Sequence, residues 1–238
     1  VLTTSRKISE RLIAELGLDA ARVTTLPTGI DLERFNAGVH GVLHHELKLP
    51  PSTPLVGMVS VLRSWKGHKF FIEAAAEVLR RQPDARFVIV GDGPGRERIA
   101  NQIAAAGLAG KVVMLGHRDD VPGVLASLSV LVLPSTAHEG VPQIILQAQA
   151  MDRAAVGTTV GGIPEVVRDG ETGLLVPPQD GAALAEKILL LLAQPDFSHQ
   201  LGRAAGECAR RECGLDAMCA RLEEIYAAQL DGRGAAQA

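Results

Sequence analysis

From Leu55 onward, short apolar runs alternate with longer stretches whose apolar residues recur every three or four positions. LVGMVSV (55–61), RFVIV (86–90), VVML (112–115), VLVLP (130–134), AAVGT (154–158) and GLLVP (173–177) are too short and continuous for amphipathic helices. They read as strands buried on both faces. Between them, HKFFIEAAAEVLRRQ (68–82), a stretch from about Gly95 to Ala106, a short one near 120–127 and one from Pro142 carry helical spacing. The tail from about Gly181 to Leu230 reads as helix with breaks near Pro195 and Gly214, and the final DGRGAAQA as a frayed end. Upstream, SRKISERLIAEL (5–16) predicts a helix capped by Ser5 and stopped by Gly17, followed by a short strand, VTTLP (23–27). A polar connector runs from TGIDLERFN to PPSTP. Continuous strands alternating with helices imply an α/β fold, a Rossmann-like doubly wound parallel sheet.

Composition narrows the partners. The 238 residues are 47% hydrophobic with a net charge of −3, enough for a sizeable core and without the basic footprint of a nucleic-acid binder. No apolar run approaches the roughly 20 residues of a membrane span, so a cytoplasmic location is expected. Cys208, Cys213 and Cys219 have no metal-knuckle spacing and read as reduced thiols; His40, His44 and His45 lack a carboxylate or Cys at a ligand spacing, so no metal is expected. Valine at position 1 suggests a chain that begins inside a longer protein.

In a doubly wound sheet, ligands bind at the carboxyl ends of the strands. Those loops are RSWKGH, GDGPG, GHRDD, PSTAHEGVPQ and TTVGGIPE. GDGPG lacks the third glycine of a dinucleotide fingerprint, Arg96 standing beyond it, and reads as a tight turn with Pro94 starting the helix. Arg63 and Lys66 are cations placed to meet a phosphate, or else solvated loop charges. Pro142 suits the first helical position, which would leave the N–H groups of Gly140, Val141 and Gln143 as donors at a helix N-terminus. Glu139 beside such an anion site makes sense if it accepts hydrogen bonds from the hydroxyls of a phosphate-linked sugar; the alternative is simple compensation of the helix dipole. GGIPEVV adds a second helix start next to the same crevice.

LPTGIDLERFN, LRSWKGH, IVGDGP, VVMLG, VLVLPSTAHEG, GGIPEVV and DGETGLLVPPQD, in that order, resemble the nucleotide-sugar-binding half of the retaining glycosyltransferase family 4. The resemblance implies the C-terminal domain of a GT-B glycosyltransferase. It divides the chain into a remnant of the acceptor domain (1–26), a hinge and connector (27–54), a donor-binding domain (55–212), and a return helix with its tail (213–238). Carried over, Lys66 pairs with the diphosphate of a nucleoside-diphosphate sugar, and the backbone around Gly116, His117 and Arg118 frames the base. Glu139 holds sugar hydroxyls, the amides from Gly140 through Val141 and Pro142 to Gln143 support sugar and phosphates, and position 147 meets the ribose. The donor is a substrate, no cofactor or metal is implied, and the acceptor is a glycan or lipid-linked molecule, a class compatible with peripheral membrane association of the full-length protein.

The chain departs from the pattern in three places. Val61 stands where the family has the arginine of G-R-L; Arg63, two residues on, would lie on the same face if the strand stayed extended. Asp152 and Ala154 replace a Gly and a Pro after the helix, and Gln147 replaces a carboxylate. Two other readings stay open: a non-catalytic nucleotide-sugar or partner-binding module, and a sugar-nucleotide epimerase or hydrolase of the same fold.

Overall fold

The computed structural model describes residues 1–235, with side chains through 230. At the start, β1 (Leu2–Thr3) and β2 (Thr24–Thr25) pair in parallel around α1 (Arg6–Leu16). The Ser5 hydroxyl accepts from Ile8 N at 3.2 Å and Gly17 ends α1 in the left-handed region, as the capping pattern predicts. β1 was not foreseen, because two residues carry no periodicity.

The connector holds the short α2 (Leu43–Glu46). Strands and helices then alternate: β3 (Leu55–Val59), α3 (His68–Arg81), β4 (Arg86–Val90), α4 (Arg96–Ala105), β5 (Val112–Gly116), α5 (Val121–Ser127), β6 (Val130–Leu133), α6 (Gln143–Ala150), β7 (Ala155–Thr158), α7 (Ile163–Val166) and β8 (Leu174–Val176). The helical tail is α8 (Gly181–Ala193), α9 (Pro195–Glu212) and α10 (Leu215–Ala235), with breaks at the expected prolyl and glycyl positions. The expected fraying of the last residues falls partly outside the described residues, which carry α10 to Ala235.

All strand pairs of the large sheet are parallel, in the order β5-β4-β3-β6-β7-β8. This is the doubly wound order, which reverses between β3 and β6. The strands' alternation sorts their side chains between two cores. Val56, Met58, Phe87, Ile89, Val130 and Val132 pack with α3, α4 and α8, while Leu55, Val88, Val90, Leu131 and Leu133 pack with α5, α6 and α7. Both faces are therefore covered, which is why each strand reads as a continuous apolar run.

The hinge segment crosses the start of the last helix. Ile30 N donates to Cys213 O at 2.8 Å, and Leu215 N returns to Ile30 O at 3.0 Å. Cys208, Cys213 and Cys219 are free thiols, and burial pushes the Cys213 thiol up. Among the described residues, no helix is long and apolar enough to cross a membrane.

Candidate functional site

The loops after β3 and β6 leave the sheet side by side at the reversal point. β3 is followed by a single 3-10 turn, Ser64–Lys66, and Gly67 at φ 79 turns the chain into α3. A side chain on Gly67 would run into the carbonyl of Pro134, so this close crossing of the two loops requires glycine. Thr136 N donates to Trp65 O at 2.7 Å and locks the loops together.

The crossing brings Lys66 to Glu139. Lys66 Nζ lies 2.5 Å from Glu139 Oε1, and Ser135 Oγ donates to the same oxygen at 2.6 Å. Glu139 is 8% exposed, so its charge is held in a mostly dry site by these two donors. Ser135 is fully buried, and its own carbonyl accepts from Thr158 Oγ1 at 2.6 Å, which ties the loop to the end of β7. The sequence reading missed Ser135. Its signal was available only as a small hydroxyl residue four positions before the carboxylate.

The glycine pair of GGIPE completes the frame. Gly161 adopts φ 57 with Glu139 O against its Cα, where any side chain would collide, and Gly162 N donates to Glu139 O at 3.2 Å. His138 is also left-handed, at φ 56, and its ring meets Trp65 edge-on at 5.9 Å. On its other side, Trp65 lies under the Arg63 guanidinium at 5.2 Å, so it packs on its own loop.

Three readings are corrected here. Pro142 does not occupy the first helical position: its ψ of 117 is extended, it serves as N-cap, and α6 begins at Gln143. Pro94 likewise precedes Gly95, the N-cap of α4. The strand-face argument for Arg63 fails because β3 ends at Val59 and Arg63 N turns back to Val61 O at 2.9 Å. Extended alternation is thus broken between the two residues, and the guanidinium is placed by Trp65.

The amides of Gly140, Val141 and Gln143 donate to none of the described residues. Val141 is buried, and the Gln143 side chain donates to Thr28 O at 3.1 Å, which fastens α6 to the hinge. Gln147 lies one turn beyond Gln143, half-buried, with no hydrogen bond to the described residues. Gly116, at φ 72, ends β5, and its carbonyl accepts from Gly91 N at 2.7 Å. His117 is exposed, 3.3 Å from Asp119. The Arg118 side chain is spent on structure. It bonds both oxygens of Glu46 at 2.8 Å and both of Asp120 at 2.8 and 2.7 Å, which raises its own pKa and lowers that of Asp120.

Between this frame and α1 lies a cavity of about 440 Å³, lined by Glu139, Gly140 and Gly161 on one side and by Lys7, Ile8 and Arg11 on the other. Glu165 holds that wall in place, accepting from Arg6 N at 2.9 Å and Lys7 N at 3.1 Å through its two oxygens. Among the described residues, no group of three or more His, Cys, Asp and Glu is placed to hold a metal ion.

The doubly wound domain, with a cation–carboxylate pair at its reversal point and free helix-terminal amides beside it, has the α/β fold of the GT-B glycosyltransferases. The chain belongs to the family described as glycosyl transferases group 1, whose model matches residues 53–194. It is 33% identical, over 73% of its length, to an alpha-D-kanosaminyltransferase of Streptomyces kanamyceticus, covering 45% of that protein. It thus spans about half the length of the relatives it matches. Among solved structures, it superposes on the C-terminal domain of a glycosyl transferase group 1 family protein from Francisella tularensis with a TM-score of 0.70, at 25% identity, covering 79% of this chain and all of that one. It also superposes on the Anabaena protein HepE, solved in complex with UDP-glucose, with a TM-score of 0.87 at 23% identity, covering 96% of this chain and 63% of that one.

Proposed function

We propose that this chain is the donor-binding half of a retaining glycosyltransferase that moves a sugar from a nucleoside-diphosphate sugar to a glycan or lipid-linked acceptor. The observation that carries the reading is the Lys66–Glu139 pair, nearly buried at the reversal point beside unpaired amides. A cation next to a helix N-terminus suits a diphosphate, and a carboxylate within reach suits the hydroxyls of the sugar attached to it. When the donor binds, Lys66 turns from Glu139 to the diphosphate, and Glu139 accepts from sugar hydroxyls. The amides of Gly140, Val141 and Gln143 support the phosphates, Gln147 meets the ribose, and the backbone near Gly116, His117 and Arg118 frames the base.

In the transfer, the bond between the anomeric carbon and the diphosphate oxygen breaks as the acceptor oxygen attacks from the same face. The acceptor proton passes to the departing diphosphate. The charge that develops on that leaving group meets Lys66 and the helix terminus, so the protein's part is orientation and electrostatic stabilisation. That HepE was solved with UDP-glucose on the same fold supports the choice of donor class. The full-length protein would supply the acceptor wall from its other half, with α1 and β1–β2 as that half's near edge.

Titration calorimetry of the chain with UDP, GDP and ADP tests the proposal. We expect weak heat from at least one of them and no transfer to a sugar acceptor by this chain alone. Absence of heat from all three at millimolar ligand overturns donor binding, and turnover by the isolated chain overturns the division of labour.

A further inference from the structure

The opposite end of the sheet holds a second cavity, of about 360 Å³, formed where the chain enters β3, β6 and β7 and where α8 passes into α9. Arg153, in the turn between α6 and β7, forms part of its wall. Its Nε is fully buried without a partner, and no nitrogen of its guanidinium donates a hydrogen bond among the described residues. The neighbouring carboxylate, Asp152, also lines the cavity; Arg210 holds its Oδ1 at 2.9 Å, and it makes no hydrogen bond to Arg153. The remaining polar groups of the wall that bear on a ligand are His44, His199 and the hydroxyls of Ser52, Ser129 and Ser198. His44 Nε2 already meets Thr53 O at 2.9 Å, and Ser129 Oγ meets Leu55 N at 3.2 Å.

A buried Nε–H without an acceptor is costly unless a ligand meets it, and the outer nitrogens of the half-buried Arg153 side chain make no hydrogen bond among the described residues, so they are free to join in. Burial lowers the pKa of Arg153, with Asp152 opposing part of the effect. The Arg153 guanidinium therefore has donors that no described acceptor uses, and the space is at the small end of what ligand sites occupy. A planar fork of N–H donors matches tetrahedral oxyanions. We propose that this cavity is a second ligand site, separate from the donor crevice, which takes a small phosphate-type oxyanion on the Arg153 guanidinium with the serine hydroxyls around it.

The test is an amide NMR titration of the chain with inorganic phosphate and, separately, with glycerol 3-phosphate. Saturable shifts are expected at the amides of Thr53, Ser129, Arg153 and Ala154. Tighter binding of the ester than of free phosphate identifies the ligand as a phosphorylated small molecule; equal or weaker binding identifies the free anion. R153M should weaken this binding by about tenfold or more, the scale of one lost charge-assisted bond, and R153K, which keeps the charge without the fork, should weaken it less. K66M, in the donor crevice, should leave these shifts in place. Dispersed spectra of the variants establish that they are folded. Absence of saturable shifts at these amides in the unaltered chain with either anion overturns the proposal, as does an unchanged response in R153M.

Discussion

Glu139 and Gln147 stand on one stretch of sequence and have separate environments. Both hydrogen bonds that described residues make to the Glu139 carboxylate fall on Oε1, from Lys66 and Ser135, and the residue also lines the cavity facing α1. Gln147 sits within α6, one turn from a glutamine that grips the hinge, and makes no hydrogen bond to Lys66, Ser135 or Glu139 among the described residues. On the proposed reading, Glu139→Gln in the full-length enzyme removes the acceptor of sugar hydroxyls and leaves Lys66 without its counter-charge. A loss of at least about a hundredfold in turnover is expected, equivalent to ~2.7 kcal/mol. For Gln147→Glu, the gain of about 1 kcal/mol from a charged ribose acceptor opposes a repulsion of about 2 kcal/mol from the diphosphate, taking ~8 Å and an effective dielectric of ~20. Nucleotide affinity should therefore change by less than about tenfold. Kinetics and calorimetry on the two variants check the ranking, and the reverse order would remove Glu139 from the reacting centre.

At the scale of elements, the hydrogen bonds that tie α1 to the six-stranded domain, among the described residues, run through one side chain of a four-residue helix. α1 has no acidic residue in its own first turn, and the Glu165 carboxylate of α7 supplies both the charge and two acceptors to its amides. A carboxylate on an exposed helix N-terminus is worth about 1 kcal/mol, roughly fivefold in a local opening constant. Glu165→Gln is accordingly expected to lower hydrogen-exchange protection of α1 by about that factor, with β3, β4 and β6 unchanged; a uniform loss across the sheet would show that Glu165 acts on global stability instead. Nothing in the spacing of GGIPEVV announces this contact, because its partners lie more than 150 residues away in the chain. The same limit applies to Lys66 and Glu139, separated by 73 residues. What could be read in advance was local: apolar strands such as Arg86–Val90, the Ser5 cap, the breaks in the tail, and the loop order that carries the family resemblance. The expectations that failed, Arg63 by strand face and Pro142 and Pro94 as first helical residues, each assumed that regular geometry continued one or two residues past the point where a turn begins.

For the whole molecule, the reversal point that makes the crevice also stores a cost. His68 opens α3 directly behind Lys66, is 2% exposed, and has Nδ1 unpartnered among the described residues and Nε2 at 3.3 Å from Ser60 Oγ. Burial pushes its pKa from 6.5 down to about 4, the nearby backbone of Arg63 opposes this, and the charges of Arg98 and Lys66 add to it. In the unfolded chain His68 takes up a proton near its ordinary value, so between those two pH values the unfolded state binds more protons than the folded one. Stability from this group is complete above about pH 6.5 and is lost progressively as the pH falls towards 4, with a full span of about 3 kcal/mol. Asp120, held below its usual value by Arg118, makes its contribution at lower pH and does not share the window. Because His68 joins α3 to the central strand, its protonation is coupled to unfolding of the entire sheet and not to local fraying. Urea midpoints measured from pH 7 to 4 should fall along this course in the unaltered chain and much less in His68→Phe, with His68→Gln as a smaller substitute if the ring is poorly tolerated. Equal pH slopes in the parent and in a folded variant would assign the acid sensitivity to other groups and leave His68 a neutral packing residue at the floor of the site.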